Sequence, residues 1–105
     1  MGPWLVTADE VPHPQQLAMW LTVNGARMQD STTANMVFDV ATLVSYVSGF
    51  MTLLPGDVIS TGTPAGVGLG MKPHPRYLTA GDVIELGIDR LGTQRQRIVP
   101  YVESA

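Results

Sequence analysis

The residues with the clearest capacity for chemistry lie in one stretch, Thr61-Gly62-Thr63-Pro64-Ala65-Gly66-Val67-Gly68-Leu69-Gly70. Two hydroxyls and four glycines follow an apolar run, so backbone N–H groups and a threonine could cradle an anionic group. It does not match either nucleotide pattern. A phosphate-binding loop of the Walker type needs Gly-Lys followed by Ser or Thr, whereas Lys72 follows Met71 and precedes Pro73. The dinucleotide fingerprint needs its own glycine spacing and then a helix, and the prolines at 73 and 75 forbid that helix. A structural turn and a substrate-binding loop both remain open for this segment.

Metal and nucleophile chemistry finds less support. Asp9 and Glu10 are neighbours that point to different faces of an extended chain, and His13 and His74 each sit between prolines. Asp57 and Asp82 follow Pro-Gly and Ala-Gly, where aspartate commonly accepts hydrogen bonds from its own backbone. Ser45 and Ser48 have no His and Asp at a spacing that suggests a triad. The residues alone point to a binding loop without a visible catalytic group.

The elements that must position this loop are short. Leu17–Val23 is β-prone, Asn24-Gly25 suits the two positive-φ positions of a type I′ turn, and Ala26–Asp30 returns, which predicts a hairpin. Val40, Leu43, Val44, Val47, Phe50 or Met51, and Leu54 recur at helical spacing, predicting an amphipathic helix over 39–54. Asp39 is its N-cap, Gly49 weakens its last turn, and Pro55-Gly56 ends it. Strands are expected at Trp4–Thr7, Asp57–Thr61, Asp82–Ile88 and Gln94–Val102. Gly-Asp-Val-Ile occurs at 56–59 and again at 81–84, which reads as two strands entered through similar turns. The predicted class is mainly β with one amphipathic helix (α+β). Trp4, Trp20, Tyr46 and Phe50 are expected to anchor a core or interface, and Met28 and Met36 to fill gaps in a core rather than to line a pocket.

Composition bounds the rest. Of 105 residues, 45% are hydrophobic, so disorder is excluded. Only 14% are charged, against roughly 25% in average soluble domains, which implies that some of the surface expects cover. A net charge of −3 without a basic stripe argues against nucleic acid. There is no cysteine, no apolar run long enough to span a membrane, and no leader-like start, so a cytoplasmic protein is expected.

Three ordered blocks resemble the fumarylacetoacetate hydrolase family. They are Gly2-Pro3-Trp4-Leu5-Val6-Thr7, then Val23-Asn24-Gly25 with Gln29-Asp30-Ser31-Thr32-Thr33 and Met36-Val37-Phe38-Asp39-Val40, then Leu54 through Gly68. The likeness runs to about Val99. Leu69–Pro73 with Asp82–Gln96 is most similar to the members that act as ureidoglycolate lyases or as hydrolases of diketo-deoxy sugar acids such as the L-fuconate derivative. Ala34-Asn35 and His74-Pro75 depart from the family pattern.

The resemblance implies that residues 1–105 are the C-terminal portion of a catalytic domain, part of a mixed β-sandwich or roll. Met1 would then be an internal methionine or the start of a split-gene product. The implied reaction is hydrolysis or lysis of C–C bonds, or of a ureido C–N bond, in small 2-oxo or β-dicarbonyl acids. Mg²⁺, or Mn²⁺, is implied for the intact enzyme. Its Glu-x-Glu and Asp ligands, the catalytic Lys and a His-x-x-Glu pair would all lie upstream, so the chain itself supplies neither metal ligands nor catalytic residues. Thr63 would bind the substrate carboxylate with help from the Gly62 N–H, and Gln29 would lie near the pocket. A homodimer is implied, and the chain alone is expected to be inactive. The alternative is a non-catalytic remnant that binds a small anion or dimerises.

Overall fold

The computed structural model describes residues 1–104. Four antiparallel strands form one sheet in the order β2-β1-β3-β4, with β1 at Ala18–Val23, β2 at Ala26–Thr32, β3 at Val83–Ile88 and β4 at Gly92–Arg97. The predicted hairpin is β1–β2. Asn24 (φ 50°) and Gly25 (φ 81°) both take positive φ, as the type I′ turn demands, and β2 runs two residues further than expected. Leu21 pairs with Gln29 and Thr22 with Arg27, which leaves Met28 as an extra residue in a β-bulge. The bulge lies one residue before Gln29.

The helix, α1, covers Val40–Ser48. Asp39 caps it as predicted, its carboxylate accepting the Thr42 N–H at 2.7 Å. It ends at Gly49, six residues before the expected stop at Pro55, and residues 50–54 are irregular. Glycine loses more backbone freedom in a helix than any other residue, and no packed face compensates, because α1 buries none of its residues.

Three expected strands need correction. Trp4–Thr7 is not a strand; its segment lies over β3 and β4, where the Gln94 side chain donates to the Gly2 carbonyl and Trp4 lies beside Gly92. Asp57–Thr61 carries no strand pairing, since among the described residues no neighbouring strand accepts its backbone groups. The last strand begins earlier and stops at Arg97. Ile98 adds two backbone bonds, with Asp82 and Gly81, and Pro100 has no N–H to continue the ladder.

The two Gly-Asp turns are nevertheless alike. Asp57 accepts the Leu54 N–H at 2.8 Å and Asp82 accepts the Thr79 N–H at 2.9 Å, each with the intervening glycine at φ 97°. Only the second turn feeds a paired strand. The class is mainly antiparallel β with one helix, as predicted, with four of the six expected strands paired.

Little of this chain is enclosed. Leu17 (4% exposed) and Val23 (6%) are the buried apolar residues, while Trp4 (64%) and Phe50 (73%) stand open. The accessible surface is 8317 Å², against about 5,700 Å² for a folded monomer of this mass. The radius of gyration, 16.3 Å, likewise exceeds the roughly 13 Å of a closed domain this long. Of the four expected anchors, Trp20 alone is half-buried: its indole fits over Gly87 and carries the Arg27 guanidinium 4.9 Å from its ring centroid. Tyr46 and Phe50, both exposed, pack on each other edge to face at 5.0 Å.

Candidate functional site

The glycine-rich segment is held against β2 by Gln29. The Gln29 Nε2 donates to Thr63 Oγ1 at 2.9 Å and to the Pro64 carbonyl, also at 2.9 Å. Both amide protons are thereby used. The Thr63 hydroxyl is an acceptor in this pair, so its own proton is free to donate away from Gln29. Thr63 and Gly62 are both exposed, and Gly62 takes φ 95°, which a side chain would resist. Neither N–H enters a backbone hydrogen bond among the described residues. Of the three residues singled out in the sequence, Gln29 and Thr63 are in direct contact, and Gly62 precedes Thr63 on the same exposed loop.

The seat depends on a second feature that sequence spacing did not reveal. At Gly66 (φ 109°) an added Cβ would overlap the carbonyl oxygen of Met28, the bulge residue. Gly68 likewise lies against the Arg76 carbonyl, and the Arg76 N–H donates to the Gly68 carbonyl at 2.9 Å. The loop therefore lies on the bulge with no side chain between, which carries Thr63 to the Gln29 amide. Beneath it is a cleft of about 190 Å³ lined by Leu21, Met28, Gln29, Val67, Arg76 and Tyr77 among others. Met28 therefore lines this cleft rather than filling a closed core, and Met36 Sδ lies 3.5 Å from Gln15 Nε2.

Gln15 adds a tie that the sequence did not signal. It donates to the Thr33 carbonyl at 3.0 Å and accepts the Val40 N–H at 2.8 Å, joining the segment that follows the 3-10 turn at Ala8–Glu10 to the start of α1. A comparable tie fixes the hairpin. Asn24 Nδ2 donates to Asp82 Oδ1 at 2.8 Å, and Asn24 Oδ1 accepts the Val83 N–H at 2.9 Å. The Thr79 N–H, first, and the Asn24 amide, second, stabilise the charged form of Asp82 and hold its carboxyl below the ordinary value of 3.8. Asp39 is lowered in the same direction by Thr42 at the helix start.

No group of three or more His, Asp or Glu side chains converges among the described residues. No helix among them is long and apolar enough to cross a membrane.

Residues 1–99 match the family described as fumarylacetoacetate (FAA) hydrolase C-terminal. A 2,4-didehydro-3-deoxy-L-rhamnonate hydrolase of Sphingomonas sp. (strain SKA58) is 62% identical over 98 residues, which cover 93% of this chain and 34% of that protein. The chain thus spans about a third of the length of the curated relatives it matches. Among solved structures, fumarylacetoacetate hydrolase from psychrophilic Exiguobacterium antarcticum superposes with a TM-score of 0.90 at 45% identity, over 95% of this chain and 35% of that one. Maleylpyruvate hydrolase from Sphingobium sp. SYK-6, in complex with manganese(II) and pyruvate, superposes with a TM-score of 0.82 at 41% identity, over 93% and 34% of the two chains. The chain belongs to the fumarylacetoacetate hydrolase family, whose C-terminal region it matches from residue 1 to residue 99.

Proposed function

We propose that this chain is the substrate-carboxylate-binding portion of a hydrolase that cleaves a carbon–carbon bond in small 2-oxo or β-dicarbonyl acids, with 2,4-didehydro-3-deoxy sugar acids as the substrate class. The observation that carries the reading is the Gln29–Thr63 pair. A hydroxyl whose oxygen is already engaged, set beside an open glycine N–H, is a donor pair suited to one carboxylate. The name of the 62%-identical relative supports the sugar-acid class, and the pyruvate complex of the Sphingobium enzyme supports a 2-oxo acid.

In this proposal the chain binds and orients; it does not supply the reacting groups. Thr63 and Gly62 hold the carboxylate, Gln29 fixes the direction of the Thr63 proton, and Gly66 lets the loop lie close enough for both. A divalent metal, Mg²⁺ or Mn²⁺, belongs with carboxylates outside these residues, as do the proton-transfer groups, and the working form is a cytoplasmic homodimer. The test joins this chain to the upstream region of the Sphingomonas relative and measures pyruvate release from 2,4-didehydro-3-deoxy sugar acids, with ureidoglycolate alongside. Turnover of the sugar acids whose kcat/KM falls by about one to two decades with Thr63→Val, and which ceases with chelator, is the expected result. Turnover of ureidoglycolate alone would move the enzyme to ureido C–N lysis, and a well-folded but inert chimera would favour a non-catalytic anion-binding or dimerisation remnant.

A further inference from the structure

Asn24-Gly25 is the one strong motif of this chain that the proposed function leaves unused. Asparagine followed by glycine is chemically labile, because the glycine nitrogen has no side chain to shield it from the asparagine amide. In this structure the Asn24 side chain is engaged at both ends. Its Nδ2 donates to Asp82 Oδ1 (2.8 Å), its Oδ1 accepts the Val83 N–H (2.9 Å), and its own N–H donates to the Val83 carbonyl (2.8 Å). The turn is exposed, so water reaches it freely. Asp82, 9% exposed, is in turn held by the Thr79 N–H.

We propose that Asn24-Gly25 is a latent deamidation site which the Asp82–Val83 clamp keeps closed, and whose conversion removes that clamp permanently. In the reaction the Gly25 nitrogen attacks Asn24 Cγ, its proton passes to solvent, and the Cγ–Nδ2 bond breaks to release ammonia. Water then opens the cyclic imide at either carbonyl, giving aspartate or isoaspartate, so the net change is addition of one water and loss of one ammonia. The consequence follows from hydrogen-bond inventory. The amide that donates to Asp82 becomes a carboxylate that can only accept, and it faces a second carboxylate at hydrogen-bond distance. The isoaspartate product also lengthens the main chain inside a two-residue turn that requires positive φ at both positions. Because β2 carries Gln29, loosening the turn loosens the strand that seats the glycine-rich loop.

The experiment incubates the 105-residue chain at mildly alkaline pH in native buffer and in concentrated urea. Peptide mass mapping scores the amide-to-acid mass gain, enzymatic methylation scores isoaspartate, and hydrogen exchange at Leu86 and Trp20 reports whether the sheet remains paired. Asn35, followed by the bulkier Met36, is the internal comparison. Conversion at Asn24 should be about tenfold or more slower in native buffer than in urea, since two bonds, one of them charge-assisted, must open first. Asp82→Ala should raise the native rate toward the urea rate while the sheet amides stay protected. Equal rates in native buffer and urea overturn the proposal, as does an unchanged rate in a paired Asp82→Ala chain. Should Asp82→Ala unfold, Asn24→Asp decides. It should melt no higher than Asn24→Gly, which lacks the side chain but suits the turn, and an Asn24→Asp chain as stable as the parent would overturn the clamp's loss.

Discussion

Thr63→Val in the completed enzyme separates binding from scaffolding at the loop. Valine keeps the β-branched shape and removes one hydroxyl, so the backbone of the loop should hold its course. The hydroxyl has two roles to lose. As a donor to a substrate carboxylate it contributes about 1.5–3 kcal/mol, which is about one to two decades in kcat/KM. As an acceptor from Gln29 it contributes about 1 kcal/mol, and that loss is cushioned because the same amide also donates to the Pro64 carbonyl. In a protein three times the length of this chain, about 1 kcal/mol lowers Tm by only about 1–2 °C. The expected variant is therefore slightly less stable and severely impaired, with the loss appearing mainly in KM if the bond is equally strong in ground and transition states. Thr63→Ser should recover most of the activity. Steady-state kinetics and a thermal melt on the same preparation decide the matter. A drop in Tm of that size or larger with kcat/KM unchanged would refute the argument and leave Thr63 as a turn residue.

Four further outcomes are expected. Gly66→Ala places a Cβ on the Met28 carbonyl at a positive φ and should cost about 2 kcal/mol or more, read as a lower urea midpoint. Asp82 has a lowered folded pKa, so its contribution to stability is complete above the ordinary carboxylate value of 3.8 and is lost as the pH falls through the folded value; Asp82→Asn should lower stability at neutral pH and shallow the acid loss, with Asp39 accounting for part of what remains. Titration calorimetry of Mg²⁺ or Mn²⁺ into the chain should reveal no saturable site tighter than about 1 mM. Sedimentation should show species heavier than the 11.3 kDa monomer, because Phe50, Met51, Leu54 and Val58 are left uncovered; a clean monomer at high concentration would contradict this.

The features that local chemistry dictates were legible in the residues. Asn24-Gly25 sets a type I′ turn whatever surrounds it, Asp39 caps whichever helix follows, and Asp57 and Asp82 bond the N–H three residues back because aspartate after glycine can do so within one turn. The family likeness rests on the same kind of information, since residue identity in the segments 2–7, 23–25, 29–33, 36–40 and 54–68 is visible without coordinates. What depends on partners was not legible. Asp57–Thr61 and Trp4–Thr7 have strand-like composition, yet a strand exists only where another accepts its N–H and C=O groups. The amphipathic pattern runs to Leu54, but without a packed face to offset glycine's entropy the helix stops at Gly49. The seat of the glycine-rich loop was hidden for a further reason. Gln29 meets Thr63 because a bulge at Met28 and a glycine at 66 let two backbones touch across 38 positions, and a contact between residues so far apart in the chain has no trace in periodicity or composition.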